Sequence, residues 1–281
     1  MRLITWNIQH GRTNTRHPAG AGRADPEFLT DALETVASYQ PDHVLLQEVD
    51  RYQYRSGWAD QPRLAFEALQ PHGFTWFHYT PSIVRLGLLG INPTMVPAAR
   101  SLPSFGNMIL SRTTPQTWKV AHLGRARTRW VGGRLPHPIP GEHRALTAAH
   151  FADGDVAVGT THLELDSQVA RTQLAKAWSL MRSFGSPAVL LGDFNLSPEG
   201  TYSAIGVNTT DSPIVADCEI VAAKPSFPAT DPTIALDQAV CTLNDAGGEL
   251  AINRVETLEL PVSDHNALIV DISVYNHARP H

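Results

Sequence analysis

The polar and apolar positions of this chain alternate in short stretches broken by turn residues, and only two stretches carry a long helical period. Arg2 to Ile8 is β-rich and reads as a strand. Asp25-Pro26 reads as a helix cap followed by proline at the first helical position. That helix should run to about Tyr39, with Phe28, Leu29, Ala32, Leu33, Val36 and Ala37 on one face. His43 to Val49 is a short apolar run, as expected of a buried strand. A second helix is expected over Arg63 to Leu69, and a strand over Phe74 to Tyr79.

From Thr80 to Ser104 the chain shows no period and reads as a long loop, with an apolar piece at Leu86 to Ile91. Strands are expected again at Phe105 to Arg112 and Gln116 to His122. Arg125 to Arg144 is a second irregular stretch, holding Arg125, Arg127, Arg129, Arg134 and Arg144 against the single acid Glu142. Ala145 to Phe151 and Val156 to His162 read as strands around an Asp153-Gly154 turn. Asp166 or Ser167 should cap a helix to about Phe184, with Leu174, Ala177, Trp178, Met181 and Phe184 facing a core. Further strands are expected at Ala188 to Leu191, Ile214 to Val221, Leu236 to Cys241, Ala251 to Leu258 and Ala267 to Val274. Two packed sheets with helices outside satisfy this order. No proline- or glycine-rich linker divides the chain, so residues 1–281 read as one domain.

Composition narrows the classes. Of 281 residues 42% are apolar, 17% charged and 7% aromatic, which excludes a disordered, collagen-like or coiled-coil chain. The net charge of −5 gives no overall field for a polyanion, although a local basic patch stays open. Cys218 and Cys241 are too few for a disulfide framework; they read first as two buried free thiols, with a single bridge between them as the alternative. The chain lacks the run of about 18 apolar residues that a membrane span needs. Its start reads as a strand rather than a signal peptide, so the expected location is cytoplasmic.

Polar residues gather at the ends of the apolar strands: Asn7, Glu48, His162, Asp193, Asn195, Asp237, and Asp264-His265 before the last strand. Glu48, Asp193 and Asp264 are hard oxygen donors, and Asn7 and Asn195 add amide oxygens. That set suits Mg2+ or Mn2+ better than zinc. His162 and His265 are available for acid–base or charge-stabilising work, with Asp237 to orient one of them. Together these groups suit attack of water on a phosphate ester. Taken singly, each has an ordinary reading as a turn amide, a surface acid or a structural histidine. His10 and His150 are given that ordinary reading.

The segments TWNIQHG, LLQEVD, GNMILSR, TTHLE, LLGDFN, LDQAV and SDHNALIVDI, in this order from Thr5 to Ile272, resemble the endonuclease/exonuclease/phosphatase superfamily. The resemblance implies a four-layer α/β sandwich of two packed mixed sheets flanked by helices, and a divalent-metal phosphoesterase. It implies that Glu48 is the main metal ligand, with Asn7 a ligand or phosphate-orienting amide and Asp264 a metal or second-site carboxylate. Asp193 resembles the residue that activates the attacking water, and Asn195 the amide beside it. His265, oriented by Asp237, and His162 resemble the two histidines at the scissile phosphate. Arg144 and Asn107 stand where some members bind phosphate. The chain departs from the pattern at Gln238, where many members have tyrosine, and no acidic partner for His162 is found.

The function expected is hydrolysis of a phosphate ester, first of all a phosphodiester. Action on a lipid or inositol headgroup is the alternative within the superfamily, and an inactive binding module of the same fold is the second alternative. The arginine-rich stretch points to a polyanion such as nucleic acid. The apolar Leu86 to Ile91 piece points to a lipid.

Overall fold

The central strands are buried at almost every position, and their successive apolar side chains turn alternately to an outer and an inner core layer. The computed structural model describes residues 1–86, 89–91, 102–127, 129–131, 137–139, 141–206, 219–245 and 248–276. One sheet is built from β1 (Arg2–Asn7), β2 (His43–Arg51), β3 (Trp76–Leu86), β4 (Leu89–Ile91) and β5 (Ser104–Ser111), with β14 (Asn244–Asp245), β15 (Gly248–Leu258) and β16 (Ala267–Asn276). Its eight strands run in the order β14-β15-β16-β1-β2-β5-β3-β4. The other is built from β6 (Thr117–Gly124), β9 (Arg144–Phe151), β10 (Val156–His162), β11 (Ala188–Asp193), β12 (Glu219–Ala223) and β13 (Asp237–Thr242). Its six strands run in the order β12-β13-β11-β10-β9-β6. A separate ribbon pairs β7 (Arg129–Val131) with β8 (His137–Ile139).

The helices cover the outer faces. Leu29, Leu33 and Val36 of α1 (Pro26–Ser38), with Ala65 and Leu69 of α2 (Gln61–Leu69), pack on Ile4, Trp6, Val44 and Leu46. Leu174, Ala177, Trp178 and Met181 of α3 (Ser167–Arg182) pack on Leu146, Ala148, Leu190 and Val240. A middle layer of Leu3, Leu45, Phe151, Val158, Val189, Leu191, Leu268 and Val270 fills the space between the sheets. The result is the four-layer α/β sandwich expected from the sequence.

The helix caps are those the sequence shows. Asp25 accepts the Glu27 amide at 3.0 Å, and Asp166 accepts those of Gln168 and Val169 at 3.0 and 3.1 Å. The sequence reading omitted α4 (Pro198–Ile205), whose signal was present: Ser197 accepts the Gly200 amide, Pro198 sits at the first position, and Gly206 (φ 83°) closes the end.

Other boundaries need correction. The strand expected to stop at Tyr79 continues to Leu86, so part of the expected loop is sheet. A register shift between Pro81 and Ile83 lets the proline sit in the strand. Arg144, the end of the stretch expected to be irregular, opens β9 and is buried. Of the strand expected over Ile214 to Val221, the described part lies in β12 (Glu219–Ala223), while residues 207–218, Cys218 among them, lie outside the described residues. Side chains of the Leu86 to Ile91 piece and of Arg129 and Arg134 also lie outside them. Cys241 is a buried free thiol. No helix among the described residues is long and apolar enough to cross a membrane.

Candidate active site

Each sheet contains one parallel pair, β1 with β2 and β10 with β11, and the carboxyl ends of both pairs meet. In open α/β sheets ligands bind outside such ends. Between the sheets the core turns polar on approaching this edge. The Gln47 amide donates to Thr5 Oγ1 at 2.9 Å and to Thr160 Oγ1 at 2.8 Å, tying one sheet to the other. Thr147 donates to Thr80 at 2.7 Å, and Asn107 Nδ2 to the Ala145 carbonyl at 3.0 Å. Asn107 is thus a brace between sheets beside the site.

Asn7 ends β1, and Glu48 lies in β2 at a bulge where the register slips between Leu46 and Val49. Glu48 takes φ 57° there, a conformation rare for a residue with a side chain. His10 (φ 57°), Asn195 (φ 50°) and Ser263 (φ 76°) share that region. Such outliers persist where the surroundings hold them, and they gather at functional sites.

Asp193 is the hub. Asn7 Nδ2 donates to its Oδ2 at 2.9 Å, and the Asn195 amide donates to its Oδ1 at 3.1 Å. His162 Nε2 lies 3.5 Å and His265 Nε2 3.8 Å from the same Oδ2. His265 Nδ1 is 2.8 Å from Asp237 Oδ2, which also accepts the Ser226 hydroxyl at 2.6 Å. The turn carrying His265 is locked in place. Ser263 donates to the Asn7 carbonyl at 2.5 Å and accepts the His265 amide at 3.0 Å, while Trp6 donates to the His265 carbonyl at 3.2 Å.

Glu48 Oε1 is 3.3 Å from Asn7 Nδ2, and Glu48 Oε2 is 3.2 Å from His10 Nδ1. Asp264 is held by Gln9 Nε2 at 2.8 Å. The side chain of Asn195 donates to the Leu163 carbonyl at 3.0 Å. Arg144 is only 4% exposed, with Glu142 and Glu164 at 3.6 and 3.9 Å from Nη2. Its Nε and Nη1 are buried with no partner among the described residues.

Charge follows surroundings. Burial raises the Glu48 carboxyl to about 7, and the neighbouring acids Asp193 and Asp264 add to it against the Asn7 hydrogen bond. Burial also raises Asp193, with His265 opposing it. Burial alone lowers His265, but the Asp237 and Asp193 carboxylates overcome that, so it is raised and cationic at neutral pH. Burial, then the Arg144 charge, holds His162 well below its ordinary value, so it is neutral.

The donor chemistry fits a hard divalent cation. Glu48 is an oxygen donor crowded by like charge, the situation a cation relieves. Among the described residues no three His, Cys, Asp or Glu side chains are arranged to hold a metal ion by themselves. An ion here would therefore rest on one or two carboxylates plus water and phosphate, as Mg2+ commonly does. Asn7 Oδ1 already accepts the Gln9 amide at 3.0 Å, so it is a weak contributor.

The geometry thus brings together Asn7, Glu48, Asp193, His162, His265 and Asp237, with Arg144, Asn195, Asp264 and Asn107 at the edges. His10, read as ordinary from sequence, belongs beside Glu48; its place in the TWNIQHG segment was the available signal. His150 is ordinary as expected, 2.9 Å from Asp155. Gln238 clamps the loop after β11, donating to the Leu196 carbonyl at 2.6 Å. Ser226 and Arg55 were not singled out from sequence.

The model of the Endonuclease/Exonuclease/phosphatase family matches residues 4–265. The chain belongs to this family. No curated protein matches it in sequence. Among solved structures, a family protein from Beutenbergia cavernae is 19% identical with a TM-score of 0.62, over 98% of this chain and 72% of that one. A mannosyl-6-phosphatase from Bacteroides thetaiotaomicron is 12% identical with a TM-score of 0.61, over 97% and 99%. TDP2 from D. rerio, complexed with a single-strand DNA product, is 14% identical with a TM-score of 0.56, over 97% and 98%. These likenesses show the fold. Members of the endonuclease/exonuclease/phosphatase family are hydrolases of phosphoester bonds, and this chain has that phosphoesterase fold.

Proposed function

We propose that the protein is a Mg2+- or Mn2+-dependent phosphodiesterase acting by in-line attack of water. The observation that carries the reading is one buried carboxylate, Asp193, faced by two histidines, at 3.5 and 3.8 Å, one neutral and one cationic. Asp193, fixed by Asn7 and the Asn195 amide, orients the water and takes its proton. Its raised pKa brings it closer to the working pH. His265, kept cationic and oriented by Asp237, donates from Nε2 to a phosphoryl oxygen. His162 donates as a neutral imidazole. The unpartnered Arg144 N–H groups have capacity for the phosphate, flanked by Asn107 and Asn195. Glu48 with Asn7 and Asp264 would hold the divalent ion, which when bound supplies positive charge for the phosphoryl and leaving oxygens.

Nicking of supercoiled plasmid in Mg2+ tests this, comparing wild type with His265→Ala. Wild type should nick, and the variant should lose on the order of 10²–10⁴ in rate. Nicking absent but hydrolysis of small diesters present would move the substrate from nucleic acid to a headgroup or other small ester. A folded protein that hydrolyses no phosphate ester in Mg2+ would overturn the reading.

A further inference from the structure

Three of the large apolar side chains that stay exposed fall within Tyr52–Trp58, directly after the strand that carries Glu48: Tyr52 at 38%, Tyr54 at 81% and Trp58 at 61%. Soluble proteins place such clusters where something binds. This one is held rigid. Tyr52 (φ 52°) and Trp58 (φ 61°) sit in the left-handed region, an outlier for bulky residues that only firm surroundings maintain.

Those surroundings are visible. The Tyr52 and Trp58 amides donate to the Ala59 and Gln53 carbonyls, each at 2.8 Å. Asp60 Oδ2 accepts the Tyr52 hydroxyl at 3.0 Å and Arg51 Nη2 at 2.9 Å. Buried Asp50 grips Arg55 through two bonds, of 2.8 and 2.7 Å. Tyr54 and Trp58 meet edge to face, centroids 5.9 Å apart. Arg55 also leads to the reacting groups: its guanidinium lies 5.1 Å over the Phe105 ring, and that ring touches His162 at 6.5 Å and His10 at 6.1 Å.

We infer that Tyr54 and Trp58 form a stacking platform for a planar aromatic ring carried by the phosphoester substrate. This rests on the phosphoesterase reading and names a class of substrate for it. The charges decide the occupant. Arg51 and Arg55 are matched by Asp60 and Asp50, so the loop offers ring faces rather than a net positive grip on a polyanion or an anionic lipid surface. Among the described residues the loop's own carboxylates, Asp60 and Asp50, are engaged by Arg51 and Arg55 rather than turned to the hydroxyls of a sugar. A nucleobase and an aryl alcohol share the ring chemistry that remains.

The test compares hydrolysis of three methyl phosphodiesters in Mg2+: one of thymidine phosphate, one of the same sugar phosphate without base, and one of phenyl phosphate. Wild type should favour the ring-bearing esters through a lower KM. Trp58→Ala and Tyr54→Ala should each cut the ring-bearing to ring-free ratio of kcat/KM about tenfold. Trp58→Phe should keep most of it. Preference for the thymidine ester assigns a base, and preference for the phenyl ester an aryl alcohol. Equal hydrolysis of all three, or a Trp58→Ala loss equal on all three, overturns the platform and leaves the phosphoesterase reading standing. Quenching of tryptophan fluorescence by the thymidine ester gives a second readout that needs no turnover. It should occur in wild type and vanish in Trp58→Phe, and its absence in wild type counts against the platform even if no ester is hydrolysed.

Discussion

His162 and His265 are both buried histidines aimed at the same oxygen of Asp193, yet one is neutral and the other cationic. The difference lies on their far sides. His265 has the Asp237 carboxylate at 2.8 Å from Nδ1. His162 Nδ1 is buried without a partner among the described residues, and the Arg144 charge acts on the ring. The pair shows that the ring's outward nitrogen, not its distance to the reacting group, sets what it can do at the phosphate. In the proposed reaction one side of the phosphate would meet a cation and the other a neutral donor.

The comparison breaks most fully at Asp237. Asp237→Asn keeps the shape but removes the charge that holds His265 protonated. Activity should fall on the order of 10²–10³. Imidazole resonances should show His265 titrating at lower pH than in wild type. There is a stability consequence too. A raised folded pKa stabilises below the unfolded value and the benefit is lost as pH rises through the folded value. Wild type should therefore lose stability on the alkaline side of 6.5, the ordinary value. Asp237→Asn should flatten that loss.

Arg144→Met removes the cation that acts on His162. The His162 pKa should move back toward 6.5, its ordinary value. KM should rise about tenfold if Arg144 also holds the phosphate. A change in the His162 titration without a change in KM would separate the two roles.

His43 sharpens the comparison by stability alone. It is packed on Phe151 at 4.3 Å, far from catalysis, with both ring nitrogens buried and unpartnered. Burial lowers it to about 4, against an opposing Asp42. A depressed histidine is neutral in the folded state, so its stability is full above 6.5 and is lost as pH falls toward about 4. Across that window His43→Leu should differ from wild type in denaturant unfolding by on the order of 3 kcal/mol, while His10 and His162, also lowered by burial, keep their own pH dependence in both proteins.

The strands and helices were legible where local pattern decides. Asp25-Pro26 and Asp166 announced their helices, and the Asp153-Gly154 turn joins β9 to β10 with Gly154 at φ 83°. Thr80 to Leu86 was not, because Pro81 argues against a strand unless a neighbour supplies the register slip. The site was legible as a set of residues in order, since strand ends carry Asn7, His162 and Asp193, with Glu48 at the bulge of β2. Their relations were not: the different protonation states of the histidines depend on Asp237 and Arg144, each distant in sequence from the ring it acts on. His10 and Arg55 were missed because each acquires meaning only from side chains the fold brings to it, Glu48 for one and Asp50 with Phe105 for the other.

The most direct test is hydrolysis of bis(p-nitrophenyl) phosphate in Mg2+ by wild type and by Asp193→Asn, which keeps the side chain's shape and removes its basicity. Wild type should turn over, lose activity with a chelator, and exceed the variant on the order of 10³-fold in kcat at unchanged thermal stability. A variant within a few-fold of wild type would contradict the assignment of Asp193 as the group that takes the proton from water.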